Sequence, residues 1–537
     1  MKTLNQLTIL DVILDFVGEK MKITLLTTSD THGFIEPTNY VDSGSDKPFG
    51  LQRDCTAINT YIQKHPDEKT IIIDNGDFLE GSPMAYYVAK MADQKDQESF
   101  ISAYNQVGYQ IGTIGNHEFD YGLNYLNFVM QHSNRQFVCA NIVNNDNEPL
   151  LADPYTITDV AGIKVGFLGL TTTSTKKWKN VNDLNDFNLI SELDACKRYI
   201  PELRKKADIV VVVYHGGFER DHTGNWNDIN PGENRGYDIL QHVDGIDAFI
   251  SGHQHRKIAS RLFNVPIIQP GSRGEFIGKI SFNVSNKNHQ ITKSNSELIS
   301  VSDSDPDDQI GQTISTLSTH LQSWLDKPLS TIKGSLMFDD PFKSRIEETA
   351  FIEFIQKIQM AKMGTDISAT ALYNNEAHGF ENPITMRNII TNYVYPNTLV
   401  KSRITGADLR AALEVSAKYF DVKHGQVVVN EQFMFPKERF YNYDMYEGID
   451  YTLNISKPVG SRVTELKYQG KDVVDDQILY VALNRYRASG GGHYPMFTRD
   501  KIVAASDTTI SQVILEYLQK HPVVTATNNH NFKIISH

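Results

Sequence analysis

Five short polar segments hold most of the residues in this chain that could do metal chemistry: Asp30-Thr-His32, Asn75-Gly-Asp77, Gly115-Asn-His-Glu-Phe-Asp120, Tyr214-His215-Gly-Gly and Gly252-His253-Gln-His255. Together they offer carboxylates, imidazoles and an amide. These mixed oxygen and nitrogen donors suit manganese, zinc, iron or cobalt without choosing among them. Two divalent cations about 3.5 to 4 Å apart can lower the pKa of water and neutralise charge on phosphoryl oxygens, chemistry that a donor set of this size could support. In Asp30-Thr-His32 and His253-Gln-His255 an extended backbone would send the alternate side chains the same way. His117 follows Asn116 directly and cannot easily share its direction, which leaves its imidazole for proton transfer. Taken singly, Gly-Asp and Gly-Asn-His fragments also suit turns, because Gly and Asn tolerate left-handed backbone. The reading rests on all five occurring together.

The segments need elements to aim them. Apolar runs bounded by turn residues precede four of the five: Ile23-Thr-Leu-Leu, Ile71-Ile-Ile, Ile209-Val-Val-Val-Val-Tyr and Ala248-Phe-Ile. Similar runs start at Phe137, Val165 and Pro266, with helical patterns between them. Unbroken apolar runs predict strands buried on both faces of a layered α/β fold. Sites in such folds lie in the loops beyond the carboxyl ends of the strands. From about residue 302 the chain turns acidic with Asp303, Asp305, Asp307 and Asp308. Ile310, Ile314, Leu317, Leu321 and Leu325 then predict a linker helix ended by Lys327-Pro328. Beyond it Phe351, Phe354, Ile355 and Ile358 share one helical face, with Gly364 as the C-terminal cap. Strands are expected from Leu399, Tyr451 and Ile478.

A chain of 537 residues exceeds what one hydrophobic core usually serves, so two or more domains are expected. Its 65 acidic against 52 basic residues give a formal charge of -13, which repels phosphate polymers at long range. Long nucleic acid is therefore an unsuitable partner, while a small anion drawn in by local metal charge is allowed. The three cysteines, Cys55, Cys139 and Cys196, make no disulfide framework. Leu10, Ile13, Leu14 and Val17 recur at helical spacing near the start, but Asp11 and Asp15 interrupt any apolar stretch. Neither a signal peptide nor a membrane span is read there, so a cytoplasmic location is expected unless the true start lies upstream. Met21 directly precedes the first strand, so residues 1–20 are expected to be either an extension or a product of the assigned start.

Over residues 21 to about 290 the five segments resemble the calcineurin-like metallophosphoesterases. The resemblance implies that Asp30, His32, Asp77 and His255 hold one metal ion and that Asp77, Asn116, His215 and His253 hold a second, with Asp77 shared. It also implies that His117 pairs with Asp120 and assists the transferring phosphoryl group or its leaving oxygen. The rest of the chain resembles the C-terminal domain of the 5'-nucleotidase and 2',3'-cyclic-nucleotide phosphodiesterase family. The carriers are Asn397-Thr-Leu-Val, Thr405-Gly-Ala-Asp-Leu, Phe440-Tyr-Asn-Tyr-Asp444 and Asn484-Arg-Tyr-Arg-Ala-Ser-Gly-Gly-Gly492. This second resemblance implies a nucleobase held between Tyr441 and Tyr486, with Asn484, Gly490 and Gly491 also at the substrate. Tyr443 is the substitute for Tyr441, because strand alternation would put both on one face.

The implied architecture is α/β with α+β character in places. A four-layer β-sandwich flanked by helices spans 21–302, a linker helix 303–328, and a second α/β substrate-binding domain 329–537. Where 5'-nucleotidases of the family usually carry glycines and an arginine, this chain has Asn374-Asn-Glu-Ala-His378, and Gly492 stands where they often have Asp. Arginine is the natural fork for a phosphate, so its absence favours the cyclic-nucleotide branch, which also acts as a 3'-nucleotidase. The alternatives are a 5'-nucleotidase or nucleotide-sugar hydrolase, and a nucleotide-binding protein without turnover. A small nucleotide is the expected partner, with no membrane involved.

Overall fold

The computed structural model describes residues 20–537 apart from 43, 179–186, 227–231, 396 and 435–437. The expected helical spacing and extension before Met21 lie almost wholly outside the described residues. The chain divides into two compact units, Met1–Asn39 with Gly44–Ser318, and Tyr40–Ser43 with Thr319–His537. The division falls inside the helix Asp308–Leu325, whose Ile310, Ile314, Leu317, Leu321 and Leu325 are all buried.

Two six-stranded sheets build the first unit. One runs in the order Ile291–Ser300, Phe276–Ser285, Lys20–Thr28, Lys69–Asp74, Ile111–Gly112, Gln136–Phe137. The other runs Lys257–Leu262, Val265–Pro270, Ala248–Ile250, Ile209–His215, Ile163–Thr171, Tyr155–Val160. Ile23, Leu25, Ile71 and Ile73 from the first meet Val211, Val213, Ile250 and Ile268 from the second in one core. The alternate residues Val210, Val212 and Phe249 face outward onto Ala195, Tyr199 and Leu203 of the helix Glu192–Arg204. The helix Leu51–Lys64 packs against the strand Phe276–Ser285 of the first sheet. The layers are thus helix, sheet, sheet, helix. With both strand faces covered, apolar side chains are favoured at every position, each worth about 1.5 to 3 kcal/mol when fully buried.

The second unit is built on a five-stranded sheet in the order Met445–Glu447, Ile367–Thr370, Ile478–Asn484, Thr398–Thr405, Ile502–Thr509. The helix Ala350–Met363 lies on it, buries Phe351, Ile355 and Ile358, and is capped by the Thr349 side chain at its start. Gly364 closes it in left-handed backbone at φ 59°, where a glycine is the least strained choice.

Candidate active site

The strand register decides where the polar segments emerge. Thr28 is paired with Asp74 and Asp74 with Gly112 in parallel ladders, so the loops that follow leave the first sheet side by side. In the second sheet Thr171 pairs with His215 and Val213 with Ile250, which brings the loops after them to a common rim. Hydrogen bonds then join the rims. Asp30 N donates to Gly76 O at 2.9 Å and His32 N to Asp77 O at 2.8 Å within the first. Gly252 N donates to Gly216 O at 3.0 Å within the second. Across the sheets, His253 N donates to Asp30 Oδ2 at 3.0 Å and Asn75 Nδ2 to Tyr214 O at 3.2 Å.

The local backbone differs from the expected extended pairs. Asp30 and His32 have φ of 55° and 52°, His253 and His255 of 66° and 54°, and Asp77 of 57°. All five are left-handed, at about 1 to 2 kcal/mol each for an L residue. The loops therefore wind tightly around the site instead of running straight past it, and the hydrogen bonds above hold them there. Alternation along an extended segment does not describe these pairs: Asp30 and His32 come together through left-handed backbone, while His253 and His255 fall in different ligand groups.

Three groups of potential ligand atoms result, each with all its atoms within 4.8 Å of one another: Asp30, His32 and His255; Asp77, His215 and His253; and Glu80, His117 and Asp120. His215 Nδ1 donates to Asn75 O at 2.6 Å, so in the neutral ring Nε2 carries a lone pair. That fully buried atom faces Asp77 Oδ2 at 2.9 Å with no hydrogen-bond partner. His32 is fixed in the same way: Nδ1 donates to Glu80 O at 2.7 Å, and Nε2 shares a 3.0 Å hydrogen bond with His255 Nε2, its direction set by which ring carries the proton. Asn116 Oδ1 is buried and accepts no hydrogen bond. A neutral His215 lone pair facing a carboxylate is repulsive unless a positive charge, a proton or a cation, lies between them. Imidazoles whose other nitrogen is fixed by a carbonyl are the usual metal ligands. The residues present therefore fit divalent cations, with donors of borderline hardness.

Without a cation, the titration of these groups favours a proton in its place. Burial pushes Asp30 and Asp77 up, but the facing imidazoles, His215 first, outweigh it and hold both well below the usual carboxylate range. Burial lowers His215, yet Asp77 and Asp30 overcome that and drive it up to about 10. Burial pushes His32 down. A proton on His215 would fill the place a cation could take.

His117 stands beside this centre, its ring 5.5 Å from that of His32. Its Nδ1 lies 2.7 Å from Asp120 Oδ2 and 2.9 Å from Glu80 Oε2. Its backbone N donates to Asp77 Oδ1 at 2.7 Å. Three acidic residues here were not singled out from the sequence. Glu80 holds His32 through its carbonyl and faces His117 with its carboxyl. Glu118 accepts from the backbone N of Asp77 and Phe78 at 2.8 Å and of Gly115 at 2.6 Å, and burial, then Asp77, pushes it up to about 7. Glu233 lies 2.9 Å from His253 Nε2. Glu80 and Glu118 sit within three residues of predicted ligands, a signal that was available. Glu233 is close only in space.

In the second unit the predicted substrate residues part company. Tyr441 and Tyr486 are half-buried. Tyr443 is a core residue instead: it is fully buried, donates from its hydroxyl to Arg345 O at 2.9 Å and stacks on Tyr419. The turn Phe440–Asn442 breaks the strand alternation that would have put it beside Tyr441. Asn484 is buried too. Its Oδ1 caps the helix Arg485–Ala488 by accepting from Arg487 N, and its Nδ2 donates to Tyr373 at 2.7 Å, so it is not offered to a substrate. Gly490 has φ 88°, and a Cβ on Gly491 would come within 2.6 Å of the Tyr486 ring, so side chains at both are disfavoured.

Comparison with known proteins follows this division. The chain matches the family model for calcineurin-like phosphoesterase over residues 23–257 and that for the 5'-nucleotidase C-terminal domain over residues 331–499. It is 26% identical to the trifunctional nucleotide phosphoesterase protein YfkN of Bacillus subtilis, over 96% of this chain but only 39% of that longer protein. It is 27% identical to the 2',3'-cyclic-nucleotide 2'-phosphodiesterase/3'-nucleotidase of Salmonella typhimurium, covering 87% of this chain and 81% of the relative. A solved Staphylococcus aureus structure, provisionally named a 5'-nucleotidase and in complex with alpha-ketoglutarate, superposes with a TM-score of 0.87 at 34% identity. That match covers 96% of this chain and 99% of the other.

Proposed function

Because the chain belongs to the calcineurin-like phosphoesterases that carry a 5'-nucleotidase C-terminal domain, and is a hydrolytic phosphoesterase, we propose that it opens 2',3'-cyclic nucleotides to 3'-nucleotides and then removes the 3'-phosphate. The observation that carries the hydrolytic part is the buried His215 Nε2 placed 2.9 Å from the Asp77 carboxylate, together with the unpartnered Asn116 Oδ1. In this reading Asp30, His32 and His255 hold one divalent cation, Asn116, His215 and His253 the other, and Asp77 both. Bound there, the cations would supply a nucleophile at neutral pH and neutralise charge on the phosphoryl oxygens.

The chain's own groups do the rest. Asn75 O and Glu80 O fix the tautomers of His215 and His32, so that each ring keeps Nε2 for the cation side. Asp120 and Glu80 on Nδ1 hold the His117 ring and stabilise its protonated form. His117 Nε2 gives its proton to the departing 2'-oxygen. Tyr441 and Tyr486 take the base by stacking, which tolerates any base identity.

The preference for the cyclic diester is supported by the segment 374–378. Its Asn375 accepts from Arg345 at 2.7 Å and its Asn374 donates to Thr391 O at 2.7 Å. Arg345 itself is buried and also donates to Leu372 O and Pro341 O, so its Nη groups are engaged within the protein. A second reading, hydrolysis of 5'-mononucleotides, is favoured by the name of the Staphylococcus aureus relative. Turnover of 2',3'-cyclic AMP, 3'-AMP and 5'-AMP with added manganese separates the two. The cyclic substrate is expected to lead, and a clear preference for 5'-AMP would exchange them.

A further inference from the structure

Arg487 joins the two ring-bearing segments of the second unit. It is fully buried, and every N–H of its guanidinium is engaged. Nε donates to Asp444 Oδ2 at 2.6 Å, and Nη2 to Asp444 Oδ1 at 3.1 Å and to Tyr441 O at 2.9 Å. Nη1 donates to Gly491 O at 2.5 Å and Asn442 Oδ1 at 3.5 Å. Beneath the guanidinium lies the Tyr494 ring, 4.0 Å away, whose hydroxyl donates to Asn442 O at 3.1 Å. Tyr486 is the residue just before Arg487, and its carbonyl accepts from Gly491 N at 3.0 Å. Gly492 completes the closure, because a Cβ there would run into Arg487 Nη1 and Asn442 Oδ1. A buried platform of Arg487, Asp444, Asn442 and Tyr494 thus carries two half-buried tyrosines, one on each segment.

We propose that Arg487 is a positioning residue for base recognition, fixing the backbone of Tyr441 and of Gly491 so that the two rings are set before a nucleobase arrives. The inference rests on the reading that Tyr441 and Tyr486 take the base. Only a planar fork can serve Asp444 and both carbonyls at once. A lysine ammonium can neutralise Asp444 but cannot reach all three acceptors. Ordering the rings in advance removes a cost that binding would otherwise carry.

The test compares wild type with Arg487→Lys on 2',3'-cyclic AMP and on bis(p-nitrophenyl) phosphate, a diester without a base, together with competitive inhibition by adenosine. Melting temperature is measured alongside. KM for the nucleotide and Ki for adenosine are expected to rise about tenfold, the order of one stacking face. kcat should hold, so that selectivity for the nucleotide over the aryl diester falls by the same factor. Unchanged KM and Ki would overturn the inference. So would equal losses on both substrates, which mark a residue that merely supports the fold. If Arg487→Lys does not fold, the pair Arg487→Gln with Asp444→Asn leaves no unmatched buried charge and is held to the same criteria. A wild type that shows no preference for the nucleotide and no affinity for adenosine would overturn the base-binding reading itself, before any variant is made.

Discussion

The rim of the first unit and the platform of the second are both buried and both charged, yet they are bonded in opposite ways. Around Arg487 each donor has an acceptor and Asp444 has its counter-charge. Around Asp77 the acceptors outnumber the donors: His215 Nε2 and Asn116 Oδ1 have no partner, and five residues are held in left-handed backbone. Buried polar groups are normally satisfied, so the second region is complete as it stands, whereas the first is completed by something it binds. The difference separates a region that does chemistry from one that holds shape for it.

The comparison can be broken most severely at Asp77. Asp77→Ala removes the carboxylate that faces His215, and kcat should fall by about a thousandfold or more, since cations contribute several kcal/mol to the transition state. Steady-state rates near wild type would place the chemistry elsewhere. His117→Asn leaves the ligand atoms alone and should cost about a hundred- to ten-thousandfold in kcat with little change in metal content. The check is single-turnover kinetics with metal analysis of the same sample.

A paired substitution in the second unit sharpens the contrast between ring and core. Tyr441→Ala should raise nucleotide KM about tenfold at nearly constant stability. Tyr443→Ala should instead cost about 3 to 5 kcal/mol of stability, as for a buried aromatic, which denaturant titration reads. The opposite pattern would restore Tyr443 to the substrate.

The smallest expected effect concerns a carboxyl without a cation. Burial, and then the neighbouring Glu447, push Glu348 up to about 8 from 4.5. Its favourable contribution to folding is therefore present below about pH 4.5 and is lost as pH rises through about 8. Glu348→Gln should flatten the fall in melting temperature between about pH 4.5 and about pH 8 by a few degrees. A fall as steep as that of wild type would show that the carboxyl ionises without penalty.

The strands and the gathering of the polar loops were legible because unbroken apolar runs fit strands covered on both faces, and four of the five polar segments follow such runs directly. The helix Asp308–Leu325 and the helix closed by Gly364 were legible from spacing and a single cap. Backbone handedness at Asp30, His32, Asp77, His253 and His255 was not, because non-glycine residues enter that region only when tertiary hydrogen bonds hold them there. Tyr443 and Asn484 were misread for a related reason. A three-residue turn changes which side chains face out, and a helix cap engages an amide that a motif alone would assign to a ligand.

The central claim is that Asp77 is shared by two cations. Metal content by inductively coupled plasma mass spectrometry, on protein loaded with manganese and desalted, tests it most directly. Wild type should retain about two ions per chain, and Asp77→Asn one or none. Two ions retained by both proteins would contradict the account.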